Sequence, residues 1–71
     1  MTIGEDRVRI KFNPSADTTV DRIKQQTAHL IDFCETYRQQ AGPEEARLWA
    51  LAMTHFEDAA MWAVKAATTG K

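Results

Sequence analysis

Two histidine–aspartate pairs are the most visible candidates for chemistry in the sequence. His29-x-x-Asp32 and His55-x-x-Asp58 repeat one spacing, which on a helix would place both members of each pair on one face. A di-metal site inside a helical bundle is the most specific hypothesis for such a repeat. Bundles that hold two metals use Glu-x-x-His and further inward glutamates, and that order is absent here. We therefore expect surface histidines with hydrogen-bond partners, and neither a metal nor another cofactor.

Nucleophilic and acid–base catalysis find little support in the residue types. Cys34 is the only cysteine, so neither an intrachain disulfide nor a thiolate metal cluster can form. It also falls on the apolar stripe of a predicted helix, where a thiol is typically inert. The carboxylate neighbours Glu44-Glu45 and Glu57-Asp58 point apart on a helix and make poor acid–base pairs. Since no P-loop or catalytic metal motif occurs either, we expect a binding protein rather than an enzyme.

The basic residues are more suggestive of a ligand. A predicted N-terminal arm carries three of them along one edge, namely Arg7, Arg9 and Lys11. Lys24 lies one helical turn from Thr27, and Lys65 follows the apolar residues 61–64. A lone cation among apolar helix faces, as at Lys65, favours an anion at a junction between subunits. The formal net charge of −1 argues against a broad footprint on DNA but allows a small anionic ligand.

The length of the chain limits how these residues can be positioned. Residues 1–71 make one domain, and a domain of this size buries only roughly 60% of the surface of its unfolded chain. Small scaffolds need a disulfide, a metal or partner subunits, and only self-association remains here. No run approaches the ~18 apolar residues of a membrane span, and residues 1–12 are too charged for a secretory signal. The sequence therefore predicts no membrane association and a cytoplasmic location.

The fold class that we predict is all-α, an antiparallel helical hairpin with a short extended N-terminal arm. Residues 7–12 alternate polar and apolar types, which is typical of a strand or arm with Val8, Ile10 and Phe12 facing protein. Arm and turn together occupy residues 1–18. Helix 1 is predicted over 19–41 and helix 2 over 43–67, and the Gly42-Pro43 connection between them is short enough to make them antiparallel.

Helix 2 carries more apolar surface than one partner helix can cover. One stripe of it comprises Trp49, Ala52, Met53, Phe56, Ala59, Ala60 and Ala63. Further apolar residues lie outside that stripe: Leu48, Leu51, Met61, Trp62 and Val64. The stripe of helix 1 is narrower and comprises Val20, Ile23, Thr27, Leu30, Ile31, Cys34 and Tyr37. A helix that is apolar around most of its circumference is buried on several sides, so we predict a homo-oligomer.

The segment Met61-Trp62-Ala63-Val64-Lys65-Ala66, preceded by two acidic and two small residues, carries a family resemblance. It resembles the phage anti-CBASS cyclic-oligonucleotide sponge family, small helical proteins that trap the signalling nucleotides of bacterial defence systems. Val20-Asp21-Arg22-Ile23-Lys24 is similar to the opening of that family's first helix. The resemblance covers roughly residues 12–66.

This resemblance implies a homo-hexamer that holds cyclic dinucleotides between paired protomers and cyclic trinucleotides where three protomers meet. Phe12 matches the position that stacks on a base, commonly a tyrosine, and Lys24 matches the phosphate-binding lysine of the dinucleotide site. Lys65 matches the basic residue of the trinucleotide site, while Gln26 or Thr27 falls near that site's hydroxyl position. Phe12 lacks the phenolic hydroxyl of its counterparts.

The function implied is a non-enzymatic sponge that sequesters cyclic di- and trinucleotides in the cytoplasm of the infected host. The alternative is a structural or regulatory helical oligomer without a small-molecule ligand. Retention of a nucleotide absorbance peak through purification would separate the two. A third hypothesis, a cyclic-nucleotide hydrolase, requires catalytic groups that the sequence does not supply.

Overall fold

A computed structural model describes residues 1–9 and 18–70 of the chain, and three α-helices account for most of them. These are α1 (Ile3–Arg7), α2 (Thr18–Gln40) and α3 (Pro43–Thr68). α2 and α3 pack against each other along their lengths, and α1 packs against α2. The prediction of an all-α hairpin is thus confirmed. The predicted ranges of the two long helices differ from the observed ones by at most one residue at each end.

The prediction of an extended N-terminal arm is wrong for the residues that the structure describes. Ile3–Arg7 is an α-helix, and residues 8 and 9 form a turn after it. The helix begins at a capping box: the Thr2 hydroxyl accepts a hydrogen bond from the Glu5 amide (3.0 Å), and the Glu5 carboxylate accepts one from the Thr2 amide (2.9 Å). Thr2 and Glu5 thus satisfy each other's backbone N–H groups. This capping stabilises a helix at the N-terminus, and the polar–apolar alternation over residues 7–12 is the weaker signal.

Only part of the predicted arm can be compared with the structure. Val8 is buried, as predicted. The expectations for Ile10 and Phe12, and for the turn that precedes α2, lie outside the described residues.

α1 is fixed to the hairpin by a close backbone approach at Gly4. The Gly4 amide donates to Asp32 Oδ1 of α2 at 2.7 Å. A Cβ atom on residue 4 would lie 2.1 Å from the Ala28 carbonyl oxygen, so only glycine fits this crossing. The Arg7 guanidinium adds an ion pair to Glu57 of α3, with Nε 3.1 Å from Oε1. α1 is therefore tied to both long helices.

The connection between the long helices is the one that the sequence predicts. α2 ends at Gln40, and α3 begins with Pro43 in its first turn after Gly42. Proline suits this position because its missing N–H would have no partner inside the helix. Glu44 and Glu45 follow, where negative charge favours the helix dipole.

The core is a thin seam between the two long helices, closed at one end by Val8. Its buried members are Val8, Ala28, Ile31, Cys34, Met53 and Ala60, with Trp49, Ala52 and Phe56 packed beside them. On α2 the buried face follows Val20, Lys24, Ala28, Ile31 and Cys34. The stripe predicted for helix 1 is partly wrong, because Leu30 and Tyr37 are exposed and Lys24 and Ala28 lie on the buried face instead.

Much of the apolar surface remains uncovered in the protomer. The Cα atoms span 44 × 20 × 12 Å, so the hairpin is a single layer of helices. The residues predicted to lie outside the helix 2 stripe are mostly exposed, namely Leu48, Leu51, Met61 and Trp62. On α2 the exposed residues include Leu30, Phe33 and Tyr37. One hairpin partner therefore does not cover the apolar faces, as the sequence predicts.

Candidate functional site

A cleft of about 420 Å³ opens where the end of α1, the first turns of α2 and the last turns of α3 meet. An antiparallel hairpin brings the start of α2 beside the end of α3, and the turn after α1 forms the third wall. The lining residues are Arg7, Val8, Arg9, Lys24, Glu57, Ala60, Met61, Val64 and Lys65. Its volume falls within the range of about 300–1,000 Å³ that is usual for small-molecule sites. We call this the basic cleft.

The charge of the basic cleft favours an anion. Four of the nine lining residues are basic, and one is acidic. That acid, Glu57, is paired with Arg7, and the formal charge of the lining as a whole is positive. The floor is apolar, formed by Ala60, Met61 and Val64. Cations above an apolar floor act more strongly on an anion than they would in open water, because the local dielectric is lower.

Lys24 forms the buried wall of the cleft. Its side chain is 3% exposed, and Nζ donates to the Arg9 carbonyl oxygen at 2.9 Å. Burial lowers the pKa of the Lys24 ammonium, the Arg9 charge lowers it further, and Asp21 opposes both. Arg9 has a φ of 56°, a left-handed conformation that residues other than glycine seldom adopt. The Lys24 ammonium thus holds a strained turn in place beside the cleft.

Lys65 stands at the exposed edge of the same cleft. Its ammonium lies 5.1 Å from the centre of the Trp62 ring. The structure therefore brings together Lys24 and Lys65, the two lysines that the resemblance assigns to different ligand classes. One is buried under the turn after α1, and the other stands at the exposed edge.

The remaining predicted site residues lie elsewhere or are not described. The Thr27 hydroxyl donates to the Ile23 carbonyl oxygen of its own helix at 2.7 Å. Gln26 lines a separate, shallow surface pocket of α2 together with His29, Leu30 and Phe33. The structure does not bring Gln26 into the basic cleft. Phe12 lies outside the described residues.

Among the lining residues, the locations predicted from the sequence were least accurate for Arg7 and Arg9. Both were expected on an extended arm without an assigned role, whereas Arg7 at the end of α1 and Arg9 in the turn after it line the cleft. The Thr2-x-x-Glu5 capping box was the signal that could have indicated α1. Nothing in the sequence pattern predicts that Gly4 would cross α2 at Ala28, which is what places α1 beside the cleft.

The residues first considered for catalysis have structural roles or surroundings that disfavour reaction. Burial raises the pKa of the Cys34 thiol, which reduces the reactive thiolate. Asp32 accepts the Gly4 amide and so anchors α1. Within residues 1–9 and 18–70, no three His, Cys, Asp or Glu side chains cluster in a way that could hold a metal ion. A bilayer-crossing helix of sufficient length and apolar character is also absent from that part of the chain.

Comparison with protein families finds a match over most of the chain. A family model described as Acb2/Tad1, hairpin domain, matches residues 3–68. The match begins at the first residue of α1 and ends at the last residue of α3, so it includes the short helix as well as the hairpin. Neither a curated protein nor a solved structure matches the chain.

Proposed function

Because the chain belongs to the Acb2/Tad1 hairpin-domain family of anti-CBASS cyclic-oligonucleotide sponges, we propose that it sequesters cyclic di- and trinucleotides in the cytoplasm of the infected host. Sequestration would deprive a CBASS defence effector of its activating messenger. The observation that carries this proposal is the basic cleft, in which basic residues from all three helices or their adjoining turns converge over an apolar floor.

The cleft has the chemistry that a cyclic oligonucleotide requires. The phosphodiester groups of such a ligand are anionic, and Arg9, Lys24 and Lys65 supply positive charge. Its bases have flat aromatic faces, and Met61 and Val64 offer apolar surface next to the cations. Phe12 would stack on a base in the dinucleotide site; stacking is worth ~1–3 kcal/mol per base and tolerates different bases.

We assign Lys24 to cyclic dinucleotides, and Lys65 with Thr27 or Gln26 to cyclic trinucleotides. Gln26 and Lys65 line different pockets of one protomer. A trinucleotide that contacts both residues would therefore be held between protomers. This arrangement supports a site that assembly completes.

We propose a homo-hexamer as the assembled form. Each protomer leaves large apolar side chains uncovered on both long helices, and contiguous exposed patches of this kind mark interfaces. Packing several single-layer hairpins together would bury these faces and surround each ligand with cations from more than one chain.

The first expected result is that the protein releases its ligand unchanged. Hydrolysis of a phosphodiester needs a positioned nucleophile with a base or metal ions, and Cys34 is buried with a raised pKa. After incubation with a cyclic dinucleotide or trinucleotide and digestion of the protein, chromatography should recover the intact ring. Recovered ligand should still activate a CBASS effector. Linear product in excess over protein would contradict sequestration.

The second expected result is that the two lysines have different ligand preferences. Lys24→Met should weaken cyclic dinucleotides about tenfold or more, since hydrogen bonds to charged groups contribute about 1.5–3 kcal/mol. Lys65→Met should weaken cyclic trinucleotides by a similar factor. Calorimetric titration with a panel of both ligand classes measures these changes.

Arg47→Met is the matched control for both lysine variants. Arg47 is an exposed cation near the start of α3, paired with Glu44 and absent from the lining of the basic cleft. Its loss should leave both affinities unchanged. If Lys24→Met and Lys65→Met weaken both ligand classes equally, the two lysines serve one site and the assignment is wrong.

A further inference from the structure

Lys65 differs from the other basic residues of the cleft in what holds its side chain. Arg7 is paired with a carboxylate, and Lys24 is bound to a backbone carbonyl. Lys65 forms no ion pair within residues 1–9 and 18–70. Its ammonium instead lies over the Trp62 ring, 5.1 Å from the ring centre. Because Trp62 and Lys65 are three residues apart on α3, they share a helix face.

Trp62 contributes little to the core of its own protomer. It is 62% exposed and is one of several large apolar residues that lie outside the core seam. Trp62 is not among the residues that line the basic cleft, whereas its neighbour Met61 is. An indole face is the best aromatic partner for a cation, since its negative potential attracts the ammonium group.

We infer that Trp62 is a positioning residue, which holds the Lys65 ammonium at the edge of the basic cleft for a phosphodiester group of the ligand. This inference rests on the proposed function. A lysine side chain has four flexible carbons, and an ammonium that is already fixed loses less conformational freedom when an anion binds. The ring acts through Lys65, so its effect should vanish when the ammonium is removed.

A double-mutant cycle in the full-length protein tests this dependence. Calorimetry compares wild type, Trp62→Leu, Lys65→Met and the double variant, with the cyclic trinucleotide that binds wild type most tightly as the probe. Trp62→Leu should weaken binding about two- to fivefold, as expected for an exposed cation–π contact. In the Lys65→Met background the same change should have no further effect. Equal weakening in both backgrounds would overturn the inference, because the ring would then act independently of Lys65.

The conservative variant and a remote control separate positioning from a structural role. Trp62→Phe keeps an aromatic face and should retain most of the affinity that Trp62→Leu loses. Trp49→Phe, near the other end of α3, should leave affinity unchanged. Loss of binding in Trp62→Phe as large as in Trp62→Leu would overturn the inference.

A ligand-free measurement covers the cases in which a variant misassembles or the proposed function fails. The ring current of Trp62 should displace the ε-proton NMR signals of Lys65 upfield in the wild type, and the displacement should shrink in Trp62→Phe. Undisplaced signals would overturn the inference even if ligands bind. If no cyclic oligonucleotide binds the wild type, the proposed function is wrong and the inferred role fails with it, although displaced signals would still establish the contact.

Discussion

Gly4→Ala should detach α1 from the hairpin and weaken binding of cyclic oligonucleotides by at least about tenfold. The added Cβ would meet the Ala28 carbonyl oxygen at 2.1 Å, and because this oxygen belongs to the backbone of α2 it cannot move aside as the end of a flexible side chain could. Detachment would remove the Arg7 and Arg9 wall from the basic cleft and expose Lys24, which is held by the Arg9 carbonyl. Overpacking of this kind typically costs about 1–3 kcal/mol. Hydrogen exchange of the α1 amides and calorimetric titration would measure the two effects.

Gly42→Ala is the matched control for this substitution. A Cβ at residue 42 has no atom within 4 Å, and its φ of −71° suits any residue. The control should change stability by less than about 0.5 kcal/mol and leave ligand affinity intact. If Gly4→Ala binds as tightly as Gly42→Ala, α1 does not form a wall of the binding site.

The Leu48→Glu/Leu51→Glu variant should break the assembly that we propose. Light scattering of the wild type should give a multiple of the 8.0 kDa chain, about six times for the hexamer. Leu48 and Leu51 are 52% and 45% exposed in the protomer, and placing two carboxylates in an apolar interface costs several kcal/mol when they lack partners. The variant should therefore sediment and scatter as a monomer.

Thr54→Glu tests whether charge on α3 alone has this effect. Thr54 is exposed on the same helix and donates its hydroxyl to the Ala50 carbonyl oxygen, so a polar side chain already occupies this position of the surface. Its replacement should leave the assembled mass unchanged. A wild-type protein that is a monodisperse monomer at micromolar concentration would contradict the packing argument.

The long helices were predictable because their signals are local and strong. Gly42-Pro43 separates them, and the spacing of apolar residues on α3 identifies most of its core stripe and most of the residues left exposed, although Ala59 of the predicted stripe is exposed and Val64 outside it is half-buried. α1 was missed because five residues are too few for a periodic signal. Its formation depends on the Thr2–Glu5 capping box together with a tertiary bond from Gly4 to Asp32.

The candidate site was predictable only in part, because it also depends on α1 and on tertiary packing. Lys24 and Lys65 were assigned from resemblance, and an antiparallel hairpin brings their ends of the helices together. The burial of Lys24 follows from the rotation of α2, which places residue 24 on the core face while Leu30 is exposed. Helical spacing alone does not distinguish these rotations when polar and apolar residues alternate around the helix. The contribution of Arg7 and Arg9 depends on α1 and was not predictable without it.

The proposed assembly would make the stability of a protomer that is one helix layer thick depend on the concentration of the chain. In the proposed assembly, folding and association form one linked equilibrium, so mass action raises the folded fraction as chains accumulate. At low concentration the chain would be unfolded, and therefore accessible to proteases, for a larger fraction of the time. At high concentration it would remain folded, and the assembled protomers would bind ligand. The protein concentration at which sequestration begins would then depend on the exposed apolar side chains of α2 and α3 as much as on ligand affinity.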